Sequence, residues 1–154
     1  MNRVPITPEG YSRLRTELQR LEQKERPRVL EAIAEARSHG DISENAEFEA
    51  AKERQALLEG KINELHTKLS QCEVIEPEKD HSERVIFGST VVLENVDTGE
   101  ELRYRLVGPY EADLARGTIS VTSPLGRAII GKEAGDEVQV HTPGGVKHFE
   151  IIDI

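Results

Sequence analysis

The sequence is poor in the residues that build a large core. Of its 154 residues, 36% are hydrophobic, only 4% are aromatic, and none is tryptophan. Charged residues make up 32%, which is typical of a helix-rich protein with a modest core. The composition therefore argues against a single large buried core.

Cysteine is nearly absent as well. Cys72 is the single cysteine, which excludes an intramolecular disulfide. The opening stretch MNRVPITPEG has no apolar run of the kind found in a signal peptide, and no stretch approaches the roughly 18 apolar residues that span a bilayer. We expect a cytoplasmic protein without membrane contact.

A basic excess is also lacking. The formal net charge is −9, and acidic residues outnumber basic ones in each half of the chain. Binding of duplex DNA requires a basic excess on one face, so neither half is expected to form such a surface. The charge balance still allows a basic patch too small to show in the total, or a basic protein partner.

The motif Thr7-Pro8-Glu9 predicts the start of a helix. It combines a hydroxyl cap, a proline whose missing N–H costs nothing at the first helical position, and an acid favoured by the helix dipole. Pro27 predicts a kink or short break near Arg26, after which the helix continues. The apolar stripe of this first arm is Tyr11, Leu14, Leu18, Leu21, Val29, Ile33 and Ala36.

A second long helix is predicted by the most regular pattern in the chain. Its stripe alternates by three and four residues through Phe48, Ala51, Gln55, Leu58, Ile62, Leu65 and Leu69. Gly40 supplies the residue that commonly follows a helix end, so the chain can reverse there. We expect an antiparallel hairpin whose arms have roughly 35 residues each and a length of ~50 Å.

The periodicity becomes that of strands after the polar stretch VIEPEKDHSER at 74–84, which predicts a linker. Strands are expected at 85–87, 90–94, 101–107, 118–121, 137–142 and 146–152, and one short helix at 125–130. The predicted fold class is α+β, with an antiparallel coiled-coil hairpin at 1–76, a linker at 77–84, and a small antiparallel β-sheet domain with one helix at 85–154.

Carboxylates are concentrated where the hairpin is predicted to reverse, in the stretch RSHGDISENAEFE at 37–49, which we call the tip. Asp41 and Glu44 are three residues apart, and this capping-box spacing can explain both of them. Alternatively, exposed acids offer the hard oxygen ligands that Mg²⁺ accepts. Two carboxylates form an incomplete site, so an ion there would need ligands from another molecule. Glu47 and Glu49 are expected to be solvated helix charges.

Three further side chains flank these acids. Arg37 and Lys52 are either solvated surface charges or contacts to a phosphate. Phe48 begins the second stripe, and core packing is favoured over stacking on a base. The five histidines show no zinc-binding spacing with one another or with Cys72.

The chain resembles the bacterial transcript cleavage factors GreA and GreB, and GreA more than GreB. The resemblance rests, in order along the chain, on ITPEGYSRLRTEL, EAIAEARSHGDISENAEFEAAKE, EGKINEL, RVIFGSTV, YRLVGPYEAD and ISVTSPLGRAIIGKEAGDEVQVHTPGG. It implies a monomeric accessory factor whose hairpin enters the secondary channel of RNA polymerase, while a C-terminal domain similar to FKBP in fold docks on the channel rim. Such a factor stimulates the polymerase's intrinsic endonucleolytic cleavage of backtracked transcripts and so rescues arrested elongation complexes.

The resemblance also assigns roles to individual residues. It implies that Asp41 and Glu44 assist catalysis at a Mg²⁺ ion shared with the polymerase, with no cofactor bound by the factor alone. Arg37 and Lys52 would face the 3′ end of the nascent RNA, with Phe48 as the aromatic behind the tip. Polymerase docking is expected at 123–124, the residues Ser123 and Pro124.

Three rival functions stay open. A related branch with the same architecture inhibits polymerase from the secondary channel, although the tip GDISENAEF favours cleavage. A non-catalytic coiled-coil adaptor would capture partners along its arms. A peptidyl-prolyl isomerase is suggested by the C-terminal fold, but its pocket would need aromatics, and this domain offers only Phe87, Tyr104, Tyr110 and Phe149.

Overall fold

The computed structural model describes residues 3–38, 42–77 and 83–154, apart from the side chains of 42–44. The chain divides into two compact units: a hairpin unit, Tyr11–Gln71, and a sheet unit, which combines Met1–Gly10 with Cys72–Ile154. This division differs from the expected boundaries at 76 and 85. The reason is that a short N-terminal strand, β1 (Val4–Ile6), pairs in parallel with β2 (Cys72–Val74). Part of the expected linker, 78–82, lies outside the described residues.

The helices follow the predicted stripes. They are α1 (Pro8–Arg20), a π-helical segment (Leu21–Glu25), α2 (Arg26–Ser38) and α3 (Ile42–Gln71). The 30 residues of α3 correspond to about 45 Å. The buried cluster between the two arms is Leu18, Leu21, Val29, Ile33, Ala51, Leu58 and Ile62, flanked by Ala32, Phe48, Leu65 and Leu69. The predicted antiparallel hairpin is therefore confirmed.

The first arm changes geometry between α1 and α2. The Arg26 N–H donates to the Leu21 carbonyl, five residues back, which defines the π-helical turn. This turn contains one residue more than an α-helical turn, so the buried stripe continues at Val29, one residue later than a heptad would place it. A kink or short break was expected near Arg26, with the helix continuing; the structure has the π-helical segment directly before Arg26, and the arm continues as α2. Pro27 fits directly after the widened turn because it has no N–H to lose from the helical ladder.

Polar side-chain contacts link the two arms. Arg26 donates to both carboxylate oxygens of Glu59, from Nε at 2.8 Å and from Nη2 at 2.9 Å. This hydrogen bond lowers the pKa of Glu59, because the guanidinium favours the ionised carboxylate. Closer to α1, His66 Nε2 lies 3.0 Å from Glu22 Oε1. Glu22 lies within the π-helical segment and Arg26 directly follows it, so the two contacts join this part of the first arm to α3.

In the described residues of the sheet unit, five further strands and one short helix follow. They are β3 (Thr90–Asn95), β4 (Glu101–Val107), β5 (Thr118–Ser120), α4 (Pro124–Ile129), β6 (Glu137–Thr142) and β7 (Gly145–Asp153), with a 3₁₀ turn at Leu114–Arg116. The strand order is β5-β4-β3-β7-β6. The core of this unit is Val85, Val91, Leu93, Leu106, Ile119, Ile129, Val138, Val140, Phe149 and Ile151. The expected fold class, a long helical hairpin plus a small sheet domain with one helix, is confirmed.

Two details of the sheet differ from the expectation. β4 and β5 pair in parallel rather than antiparallel, so the connection between them must return the chain to the end at which β4 begins. Gly117, at φ +77°, ends the 3₁₀ turn of this connection directly before β5. The strand expected at 85–87 is not formed. Instead Arg84 makes an isolated bridge to Glu133, and Val85 is fully buried. Among the described residues, no helix has the length and apolarity to cross a membrane.

Candidate functional site

The predicted catalytic acids belong to the connection between α2 and α3. α2 ends at Ser38, and α3 begins at Ile42. Asp41 lies outside the described residues. Glu44 is in the first turn of α3, but its side chain lies outside the description. The structure therefore confirms where the hairpin reverses, and the roles of the two acids stay predictions.

The structure brings together the three residues predicted to flank these acids. The Arg37 Cζ atom, in the last turn of α2, lies 5.7 Å from the ring centroid of Phe48 in α3. That distance is within the range of a cation–π contact. Lys52 follows Phe48 by one helical turn and thus lies on the same side of α3. Arg37 and Lys52 are exposed, whereas Phe48 is half-buried.

Phe48 has two functions in this arrangement. Its ring packs against the coiled-coil cluster, as the apolar stripe predicts, and one ring face meets the guanidinium of Arg37. Sequence reasoning missed this second contact because it joins the two arms. The ring can hold the guanidinium in place without closing it off from an anion.

Metal-ligating residues do not gather elsewhere in the described part of the chain. Within 3–38, 42–77 and 83–154, no three His, Cys, Asp or Glu side chains lie close enough to hold an ion together. Glu47 and Glu49 are exposed on α3, as expected for solvated helix charges. Mg²⁺ commonly takes one or two protein carboxylates and leaves its other positions to water and phosphate. The chemistry of Asp41 and Glu44 fits that requirement only if another molecule supplies the remaining ligands.

The two predicted docking residues begin helix α4. The Ser123 hydroxyl accepts a hydrogen bond from the Gly126 N–H at 3.0 Å and donates one to the Ser120 carbonyl at 2.6 Å. It is therefore an N-cap whose hydroxyl is already engaged inside the domain. Pro124 occupies the first turn and is exposed. Of the two residues, Pro124 offers the freer surface to a partner.

A carboxylate that sequence reasoning missed holds the N-terminal segment to the sheet unit. Glu111 accepts hydrogen bonds from the Thr7 N–H at 2.8 Å, from the Gly108 N–H at 3.0 Å and from the Thr7 hydroxyl. The same hydroxyl accepts from the Gly10 N–H at 3.1 Å, which confirms Thr7 as the cap of α1. These hydrogen bonds anchor the first turn of α1 within the sheet unit.

The Cys72 thiol also lies near Glu111 in this unit. Burial, with a smaller contribution from the Glu111 charge, raises the pKa of the Cys72 thiol.

The aromatic side chains weigh against the isomerase alternative. Phe149 is buried in the core of the sheet unit, and Tyr104 packs against that core. Two of the four aromatics that this domain offers for such a pocket are therefore used to stabilise the fold.

Comparisons with known proteins cover almost the entire chain. Residues 4–74 match the family model "Transcription elongation factor, N-terminal", and residues 79–154 match "Transcription elongation factor, GreA/GreB, C-term". The chain is 62% identical to the transcription elongation factor GreA of Syntrophobacter fumaroxidans, covering 100% of this chain and 99% of that protein. It is 57% identical to that of Phenylobacterium zucineum, with coverage of 100% and 98%. A crystal structure of GreA factor homolog 1 from Thermus thermophilus is 31% identical, covers 98% of this chain and 97% of that chain, and has a TM-score of 0.43.

Proposed function

The chain belongs to the GreA/GreB family of transcription elongation factors, and on that premise we propose that it stimulates transcript cleavage by RNA polymerase. In this proposal the hairpin enters the secondary channel of a backtracked polymerase, and the polymerase's own active centre cuts the displaced RNA. The protein is an accessory factor and acts as a monomer. Because nascent transcripts are made in the bacterial cytoplasm, the proposal agrees with the expected location.

One observation carries this proposal: two exposed cations, Arg37 and Lys52, lie near the end of the hairpin on its two arms. Arg37, exposed in the last turn of α2, contacts the half-buried Phe48 ring, and exposed Lys52 follows Phe48 by one turn of α3. The connection that joins α2 to α3 contains Asp41 in its sequence. Cations flanking acids suit a substrate that carries both phosphates and a metal ion. A structural capping box alone would not call for the flanking cations.

Each group of side chains then has a separate task. Asp41 and Glu44 supply oxygen ligands that the polymerase's carboxylates complete, and they orient the water that attacks the scissile phosphate. A Mg²⁺ ion held in this shared site would stabilise the attacking and leaving oxygens of the displacement. Arg37 and Lys52 neutralise phosphates of the RNA 3′ segment. Removing either acid should therefore affect the chemical step more than binding.

Docking of the sheet unit is proposed to involve the start of α4. Pro124 presents an exposed apolar surface there, while Ser123 fixes the local backbone by capping the helix. A contact at this position would hold the factor on the channel rim. Replacement of Pro124 should weaken binding to polymerase and leave the cleavage rate at saturation unchanged.

The test measures 3′ transcript cleavage in stalled elongation complexes with wild type, Asp41→Ala and Glu44→Ala. We expect wild type to stimulate cleavage and each variant to lose most of the stimulation while still binding polymerase. Glu49→Ala is the matched control, since Glu49 is an exposed carboxylate on the same helix, and it should behave like wild type. Intact cleavage by both tip variants would contradict the mechanism. Inhibition by wild type would support the inhibitor alternative, and binding that depends only on the arms would support the adaptor.

A further inference from the structure

A groove lies between the two arms of the hairpin unit, beside the π-helical segment. Its floor is apolar and formed by Leu21, Val29 and Leu58, three residues of the coiled-coil core. Leu57 lines the same groove from α3, yet its side chain is 70% exposed. A single exposed leucine needs no explanation, but one that borders an apolar groove extends the apolar surface open to a partner.

Two cations flank this leucine on the same helix. Arg54 and Lys61 lie three residues before and four after Leu57, so all three share one face of α3 and line the groove. Neither cation forms an ion pair with any residue in the described part of the chain, although Lys61 is attracted to Glu17 at longer range. Arg20 on the opposite edge is already paired with glutamates. The α3 edge of the groove is therefore positively charged in a chain of net charge −9.

The backbone beside the groove is also unusual. Leu21 and Glu25, the two ends of the π-helical segment, both line it. π-helical turns are rare within α-helices and occur frequently at functional sites. The widened turn and the exposed Leu57 thus meet at one place, on opposite arms.

We propose that this groove docks an acidic surface segment of RNA polymerase that carries one apolar side chain. The apolar side chain packs against Leu57 and the groove floor, while carboxylates pair with Arg54 and Lys61. This inference rests on the proposed function, because it takes the partner to be the wall of the channel that the hairpin enters. A nucleic acid would also attract the two cations, but phosphates make no use of an exposed leucine.

The experiment measures the dissociation constant of the labelled full-length protein for purified bacterial core RNA polymerase free of nucleic acid. Leu57→Ser should weaken binding about tenfold, as expected for loss of one partly buried leucine side chain at an interface. Lys61→Glu should weaken it about three- to tenfold at low salt, with a smaller effect at high salt. At saturating concentrations both variants should cleave transcripts as wild type does, since their tips are unchanged.

Matched controls make the result specific to the groove. Leu30→Ser makes the same change at a leucine of α2 that is 50% exposed but does not line the groove. Lys24→Glu makes the same charge reversal at an exposed lysine outside it. Both controls should bind within about twofold of wild type. Leu57→Lys provides a second change at the same leucine, and circular dichroism of each variant checks that the helices are intact.

Each outcome decides one of the two proposals. If wild type neither binds polymerase nor stimulates cleavage, the proposed function fails. If wild type binds polymerase and stimulates cleavage, but Leu57→Ser and Leu57→Lys bind as tightly as the controls do, the proposal that polymerase docks in this groove is wrong. Tighter binding by Lys61→Glu would show a basic partner surface and also overturn the inference. Binding of the same variants to a single-stranded RNA is measured in parallel. A loss of RNA binding with unchanged binding to core polymerase would overturn the inference and identify the groove as a nucleic-acid contact instead.

Discussion

Replacing Phe48 by leucine isolates the contact between its ring and Arg37. The guanidinium carbon lies 5.7 Å from the ring centroid, and the cation is exposed while the ring is half-buried. Leucine keeps most of the apolar packing on the coiled-coil cluster and removes the ring face. A cation–π contact at such an exposed position stabilises by about 0.5–1 kcal/mol. If Arg37 stabilises the transition state of cleavage from this position, Phe48→Leu should lower the cleavage rate about two- to fivefold.

The assay is a double-mutant cycle on single-turnover transcript cleavage at saturating factor. It compares wild type, Phe48→Leu, Arg37→Ala and the double variant. We expect the two single effects to overlap, so that the double variant cleaves about as slowly as Arg37→Ala alone. Phe48→Tyr should restore the wild-type rate because tyrosine retains the ring face.

Two results would refute this reasoning. Additive effects in the cycle would mean that the ring does not position the guanidinium. A Phe48→Tyr variant as slow as Phe48→Leu would mean that the loss comes from changed packing at the end of the coiled coil. Urea unfolding of the same four proteins provides an independent check, since the coupling free energy should again be about 0.5–1 kcal/mol.

Two further predictions concern the stability of the fold. Gly108→Ala should lower the free energy of unfolding of the sheet unit by about 1–3 kcal/mol, because an added Cβ would lie 1.9 Å from the Pro5 carbonyl oxygen. Gly60→Ala is the control, because a Cβ there meets no atom within 4 Å. Its free energy of unfolding should rise by about 0.5–1 kcal/mol. Equal losses of stability for the two variants in urea unfolding would contradict the steric argument. The Arg26–Glu59 pair should stabilise the hairpin near neutral pH. Because the folded pKa of Glu59 is lowered from 4.5, that contribution is present above pH 4.5 and disappears as the pH falls through the folded pKa. Thermal unfolding of wild type and Glu59→Gln should therefore differ near pH 7 and converge in acid, and a constant difference would disprove the linkage.

The sequence by itself determined the features that depend on neighbours along the chain. The cap at Thr7, the two apolar stripes and the reversal between 38 and 42 all follow from side chains within a few helical turns of one another. Their periods of three and four residues leave few alternatives to a long antiparallel hairpin. The alternation of apolar residues in the last third predicts most of the strands for the same reason.

The tertiary structure decided the contacts between segments that are distant in sequence. The pairing of β1 with β2 places the N-terminal residues in the sheet unit, and the Glu111 carboxylate anchors Thr7 there. The contact of Arg37 with Phe48 requires the two arms to be aligned in register. No local pattern specifies that alignment, because it depends on how the π-helical turn shifts one apolar stripe relative to the other. The sequence therefore identified the residues of the candidate site, and the packing of the arms determined which of them touch.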